Sequence, residues 1–145
     1  MKINSKSLKE LYNLDYDRSG FNSGLILWYN DVIDKSYEQL DARDVSKMLR
    51  QNFSDSLNNL AKKRMIDLFI ENPYDGEFSD GDLLETIVSC NVTPNDSHKL
   101  RELKKVLEAV KTECFEYPGY EDWYDDEERD KYLKNIEIFE NLLNL

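Results

Sequence analysis

The chain has 145 residues and is 40% apolar, the size of one ordinary domain with enough apolar side chains for a real core. Its 19 Lys and Arg stand against 30 Asp and Glu, a formal net charge of −11. That argues against a nucleic-acid binder and against a protein held on anionic lipid, because both need positive potential.

With only 5 Gly and 3 Pro, punctuation is sparse and helices are favoured over many short strands. A first helix is expected over about residues 5–14, with Leu8, Leu11, Tyr12 and Leu14 on one side. Gly20 and Asn22 break the pattern. A second helix then runs to about Asp34, with Phe21, Leu25, Trp28, Tyr29, Val32 and Ile33 along its inward face. Lys35 to Leu40 reads as a connector. Asp41 is placed to cap a third helix, with Asp44 adding charge to its first turn and Val45, Met48 and Leu49 inward. Ser54 or Asp55 caps a fourth helix bearing Leu57, Leu60, Ala61, Met65, Leu68 and Phe69. Asn72-Pro73 ends it, since the residue before proline is pushed out of the helical region.

Tyr74 to Ser79 reads as a loop, and a fifth helix starts near Ser79 or Asp80 with Leu83, Leu84, Ile87 and Val88 inward. The best strand signal in the chain, Ile87 to Val92, overlaps its end. Asn91 to Pro94 is a second break. The helix over about residues 96–115 has the cleanest seam: Leu100, Leu103, Leu107, Val110 and Cys114. A turn at Tyr117 to Tyr120 precedes a last helix over about 127–143, burying Tyr132, Leu133, Ile136, Phe139 and Leu143. The expected fold is all-α: a compact bundle of six to seven helices forming a single domain over residues 1–145.

Two cysteines, Cys90 and Cys114, make no disulfide framework. No run nears the roughly 18 apolar residues of a membrane span. The charged start Met1 to Lys6 is followed by no apolar signal core. A cytoplasmic protein with reduced thiols is therefore expected.

Signals for catalysis are sparse. The single histidine, His98, opens a basic helix and reads as a solvated surface residue. Cys114, on the apolar seam, reads as a small buried hydrophobe. No glycine-rich phosphate loop and no zinc spacing occurs. Asp75 to Asp82 superficially resembles a calcium loop. Aligning Gly81 on the required glycine puts Phe78 and Ile87 at ligand positions, and aligning Gly76 puts Pro73 at one, so both registers fail. No cofactor, metal or catalytic residue is expected.

Position makes the charge informative. Residues 1–70 are nearly balanced, with 11 basic and 10 acidic residues, whereas residues 71–145 hold 8 basic and 20 acidic. One acidic stretch is Glu71, Asp75, Glu77, Asp80, Asp82 and Glu85, with no basic residue between them. The other runs from Glu113 to Asp130, interrupted only by Arg129, and interleaves Tyr117, Tyr120, Trp123 and Tyr124. Merely solvating tails are poor in aromatics. Rigid aromatics within a charged field resemble a protein interface that attracts a basic partner. The plainer reading is that Trp123 and Tyr120 pin the segment to the bundle and leave the acids solvated.

The middle of the chain resembles the small helical immunity proteins of bacterial contact-dependent growth inhibition (CDI) systems. The resemblance rests on Leu40-Asp41-Ala42-Arg43-Asp44-Val45-Ser46-Lys47-Met48-Leu49-Arg50-Gln51-Asn52, on Glu71-Asn72-Pro73, on Gly76-Glu77-Phe78 and on Gly81-Asp82-Leu83-Leu84, and covers about residues 20–90. It implies an antidote that binds the toxic C-terminal domain of a delivered effector, commonly a nuclease, and brings no catalytic residues with it. Nucleases need basic clefts for phosphates, and carboxylates bound by Arg and Lys can replace those phosphates. The residues expected to bind the toxin are Asp75, Glu77, Asp80, Asp82, Glu85, Tyr120, Glu121, Asp122, Trp123, Tyr124, Asp125 and Asp126. No direct nucleic-acid or membrane contact is expected, and the sequence leaves the oligomeric state open.

Three other classes stay open on the sequence. One is an acidic adaptor or regulatory module with no toxin partner. Another is a hydrolase with a carboxylate site. The third is a nucleic-acid binder using Lys62-Lys63-Arg64 and the basic start of the 96–115 helix, two clusters that otherwise read as solvated helix faces.

Overall fold

In the computed structural model the described residues are 6–19, 23–77, 81–113 and 126–145. They form α1 (Leu8–Tyr12), α2 (Gly24–Val32), α3 (Ala42–Gln51), α4 (Asp55–Glu71), α5 (Asp82–Ser89), α6 (Ser97–Glu113) and α7 (Asp126–Leu142), with a 3-10 turn at Tyr37–Gln39. No strand occurs among the described residues, and the Ser7–Ser36 pairing is an isolated bridge. The all-α bundle is what helical periodicity and scarce glycine require.

Local chemistry sets the helix starts. Ser7, Ser23 and Ser54 each accept the backbone N–H three residues on, at 3.1, 3.1 and 3.2 Å. Asp41 does more. It accepts from the N–H of Asp44 at 2.8 Å while Asp44 accepts from the N–H of Asp41 at 3.2 Å, a reciprocal box that satisfies two otherwise orphaned donors. Asn13 and Asn52, both at φ 52°, end α1 and α3 in the left-handed region that asparagine tolerates.

α4 is the central element, packing against α3, α5 and α6, while α7 closes over α5 and α6. One cluster of buried side chains runs from Leu8 to Leu143. Within it Phe69 of α4 meets Phe139 of α7 edge-on, centroids 5.7 Å apart. That geometry adds about 0.5–1.5 kcal/mol beyond the area buried. The seam of α6 is inward as expected at Leu103, Leu107 and Val110, with Leu100 half-buried. Cys114 lies outside the described residues, and Cys90 is exposed.

The weak strand signal at Ile87 to Val92 forms no strand, in keeping with the helical reading of this segment, while elsewhere the structure departs from sequence expectation. α5 continues to Ser89, and the left-handed Asn91 then turns the chain so that Val92 still reaches the core. α5 begins at Asp82, later than expected, because Gly81 takes φ 84° as its N-cap. The expected connector 35–40 holds the buried Tyr37. Leu25, expected inward, is 38% exposed.

The basic cluster in α4 is not wholly a solvated face, because Arg64 is buried. Its Nε donates to the carbonyl of Leu40 and its Nη2 to that of Glu38, each at 3.0 Å, while its guanidinium lies over the Tyr37 ring. It thus ties the 3-10 turn to α4, and two carbonyls find their donors in a charge-assisted form. Asp44 has a parallel role. Beyond capping α3 it takes the Lys35 ammonium at 2.8 Å and the Trp28 indole N–H at 3.3 Å, which joins α2 and its exit to α3.

Candidate functional site

The first acidic stretch joins α4 to α5, and its described residues on either side of 78–80 lie close together. Asn72 ends α4 in an extended conformation, and its side-chain oxygen accepts the N–H of Tyr74 at 3.1 Å. The N–H of Gly81 donates to the carbonyl of Tyr74 at 2.7 Å, and that of Leu83 to the carbonyl of Asp75 at 3.1 Å. The loop's two ends are therefore stitched together before any side chain of the acidic set is considered.

The carboxylates then divide by task. Glu77 is held by Arg50 of α3 in a two-point pair, Nη1 to Oε2 at 2.7 Å and Nη2 to Oε1 at 2.6 Å. Its side chain is only 6% exposed. This contact holds the Arg50 guanidinium charged and pushes its pKa above the ordinary value. Asp82 accepts the backbone N–H of Glu77 at 2.5 Å. Glu77 and Asp82 thus shape the loop. Glu85 is exposed and lies 3.5 Å from Lys131 of α7.

Asp75 is the electrostatically loaded member. Burial pushes its carboxyl pKa up first, and the carboxylates of Asp41, Asp82 and Glu71 push it further, against one stabilising N–H from Gly76 at 2.8 Å. Carboxylates from α3, the end of α4 and the start of α5 therefore converge on it. Glu71 is itself 3.5 Å from the Arg64 guanidinium, which offsets part of that convergence.

α7 backs this loop. Tyr132 donates its hydroxyl to the carbonyl of Pro73 at 2.7 Å, and its ring stacks on Tyr74 with centroids 5.7 Å apart. α7 begins at Asp126, six residues before Tyr132, or about 9 Å along the helix axis. The end of the second acidic stretch is thus delivered close to the first. Asp80, Tyr120, Glu121, Asp122, Trp123, Tyr124 and Asp125 lie outside the described residues, as does the side chain of Asp126.

The basic clusters are partly spent inside the fold. Lys62, Lys63 and Lys99 line a cleft of about 440 Å³ between α4 and the turn before α6, together with Asp67 and Asp96. Lys99 pairs with Asp67 at 2.7 Å, and this contact raises its pKa. Asp67 also accepts from the hydroxyl of Tyr37, whose pKa is pushed strongly upward by burial and by that bond. His98 is exposed and sits 2.6 Å from Glu102. Among the described residues no group of three or more His, Cys, Asp or Glu side chains could hold a metal ion, and no helix is long and apolar enough to cross a membrane.

Sequence reasoning missed Arg50 as the partner of Glu77. The only local signal was opposite charge 27 residues away, which many pairs in so charged a chain share.

Fold and loop together define a small acidic all-α protein with an acidic loop joining α4 to α5 and backed by α7. A family model described as CDI immunity proteins matches residues 10–110, more than two thirds of the chain. The chain belongs to that family of CDI immunity proteins. The match starts before the resembling motifs and runs through most of α6. No curated protein and no solved structure matches the chain.

Proposed function

We propose that the chain acts as one helical unit in the cytoplasm, binding the cognate C-terminal toxin domain of a CDI effector and neutralising it without catalysis of its own. The toxin in this reading is a nuclease, and the acidic stretches 75–85 and 116–128 fill its basic cleft in place of nucleic-acid phosphates. Family membership supports the toxin partner. The observation that supports the acidic mechanism is the half-buried Asp75, whose carboxyl pKa is raised by burial first and then by the charges of Asp41, Asp82 and Glu71. Bringing Lys or Arg side chains to that group would ease this repulsion.

In this reading Asp75, Asp80 and Glu85 meet the toxin, with the half-buried Asp75 and the Lys131-paired Glu85 re-pairing on contact, while Glu77 and Asp82 hold the loop. In the second stretch Tyr120, Trp123 and Tyr124 serve as anchors, and Glu121, Asp122, Asp125 and Asp126 as the charged surround.

Co-purification with the toxin domain encoded beside it tests this, followed by a nuclease assay of that domain with and without the chain. A stoichiometric complex in which nuclease activity is lost is expected. Full nuclease activity in a formed complex would mean that the cleft is not the surface blocked. Failure to form a complex would favour an acidic adaptor with a different partner.

A further inference from the structure

A second surface lies away from the acidic loop. α2 and the turn from α3 into α4 enclose an open groove of about 460 Å³, walled by Leu25, Ile26, Tyr29 and Phe53 and rimmed by Asp15 and Asp17. Leu25 and Phe53 are 38% and 39% exposed. Their exposure is built in. Phe53 is held between the rings of Trp28 and Tyr29, at 5.9 and 5.2 Å, and so cannot fold away over the groove.

The Asp17 side of the rim is also held. The N–H of Asp17 donates to Asn30 Oδ1 at 2.7 Å, and Asn30 Nδ2 returns a bond to the carbonyl of Asp17 at 3.1 Å. The N–H of Ser19 donates to the Asp17 carboxylate at 2.9 Å, which lowers its pKa and keeps it ionised. Beside it the Tyr29 phenol is pushed up by burial and then by the fields of Asp17 and Asp15, so both carboxylates act on the groove. None of the described residues lining it is basic. An apolar slot whose described lining carries two carboxylates and no basic residue suits one ligand chemistry: an apolar side chain next to a Lys or Arg.

We infer that this groove is a second docking point for the cognate toxin domain, taking an apolar side chain flanked by a basic residue that pairs with Asp15 and Asp17. This rests on the toxin reading above, and it adds a contact that the acidic stretches do not provide. Because Phe53 and Asp17 are held before binding, less ordering is needed when the anchor enters, and the groove should act chiefly on dissociation.

The test measures association and dissociation rates of the catalytically inactivated toxin domain encoded beside this chain against three full-length variants. Leu25→Gln and the double variant Asp15→Asn/Asp17→Asn are each expected to weaken binding about tenfold or more, mostly through faster dissociation. Leu27→Gln is the control. Leu27 is 60% exposed on the same helix but does not line the groove, so its affinity should stay within about twofold of the parent. Helix content by circular dichroism establishes that each variant is folded. Parent-like affinity in both groove variants overturns the groove while leaving the toxin reading intact. A parent chain that does not bind the toxin domain overturns both.

Discussion

Arg50 and Glu77 meet in two parallel hydrogen bonds of 2.7 and 2.6 Å across the gap between α3 and the acidic loop. The carboxylate is almost fully buried while the guanidinium is half exposed, so Arg50 acts as the lid on a negative charge that water barely reaches. Removing Arg50 would leave that charge without its partner. Arg50→Ala should therefore destabilise the fold by about 1–3 kcal/mol. Arg50→Lys should restore only part, because an ammonium cannot make the two-point contact. Urea unfolding of the parent and both variants checks this, and equal midpoints for all three would mean the pair contributes nothing.

Arg64 belongs to the frame of the fold rather than to any basic surface. Arg64→Ala removes the guanidinium donors to the carbonyls of Leu40 and Glu38, and a loss of about 2–4 kcal/mol is expected. Lys62→Ala, at an exposed position in the same run, should change stability by no more than about 0.5 kcal/mol. Thermal unfolding of the two single variants separates them.

Asp75 should trade stability for binding. Its pKa in the fold lies above the unfolded value, so the protonated carboxyl is the form the fold favours. That stability is fully present below the ordinary Asp value of 3.8 and is lost as pH rises through the raised one. Asp75→Asn should thus melt higher than the parent at pH 7, and the two curves should converge as pH falls below 3.8. The same variant should bind the toxin domain more weakly, a pattern common where function requires crowded charge. A variant less stable at neutral pH would contradict the electrostatic account of this loop.

Charge reversal in the second acidic stretch should act on encounter. Asp122→Lys, Asp125→Lys and Asp126→Lys together are expected to slow toxin association by about tenfold or more at low salt, with a smaller difference at high salt. Protection of cells equal to the parent would move the interface elsewhere.

Much of the fold was legible because its signals are local. The Asp41 cap with Asp44 in the first turn, the Ser54 cap, the Asn72-Pro73 stop and the Leu103–Leu107–Val110 seam are each set within one or two turns of chain. The errors lie where locality ends. A leucine at helical spacing, Leu25, was expected inward, yet the neighbouring elements leave that side of α2 open as a groove wall. Likewise a run of three basic residues reads as one face, but α4 turns about 100° per residue and carries Arg64 beneath the Tyr37 turn.

By itself the sequence determined an all-helical chain, its main breaks, the gathering of its negative charge after residue 70, and its kinship to CDI immunity proteins. The first three follow from composition and from spacing of a few residues, and the kinship from the resembling motifs and the family match. Only the tertiary structure decided that Glu77 is spent on Arg50 while Asp75 is left among carboxylates, and that α7 returns beside the first acidic loop. Those outcomes depend on pairings 27 to 59 residues apart, which packing of the whole core selects and no local pattern encodes.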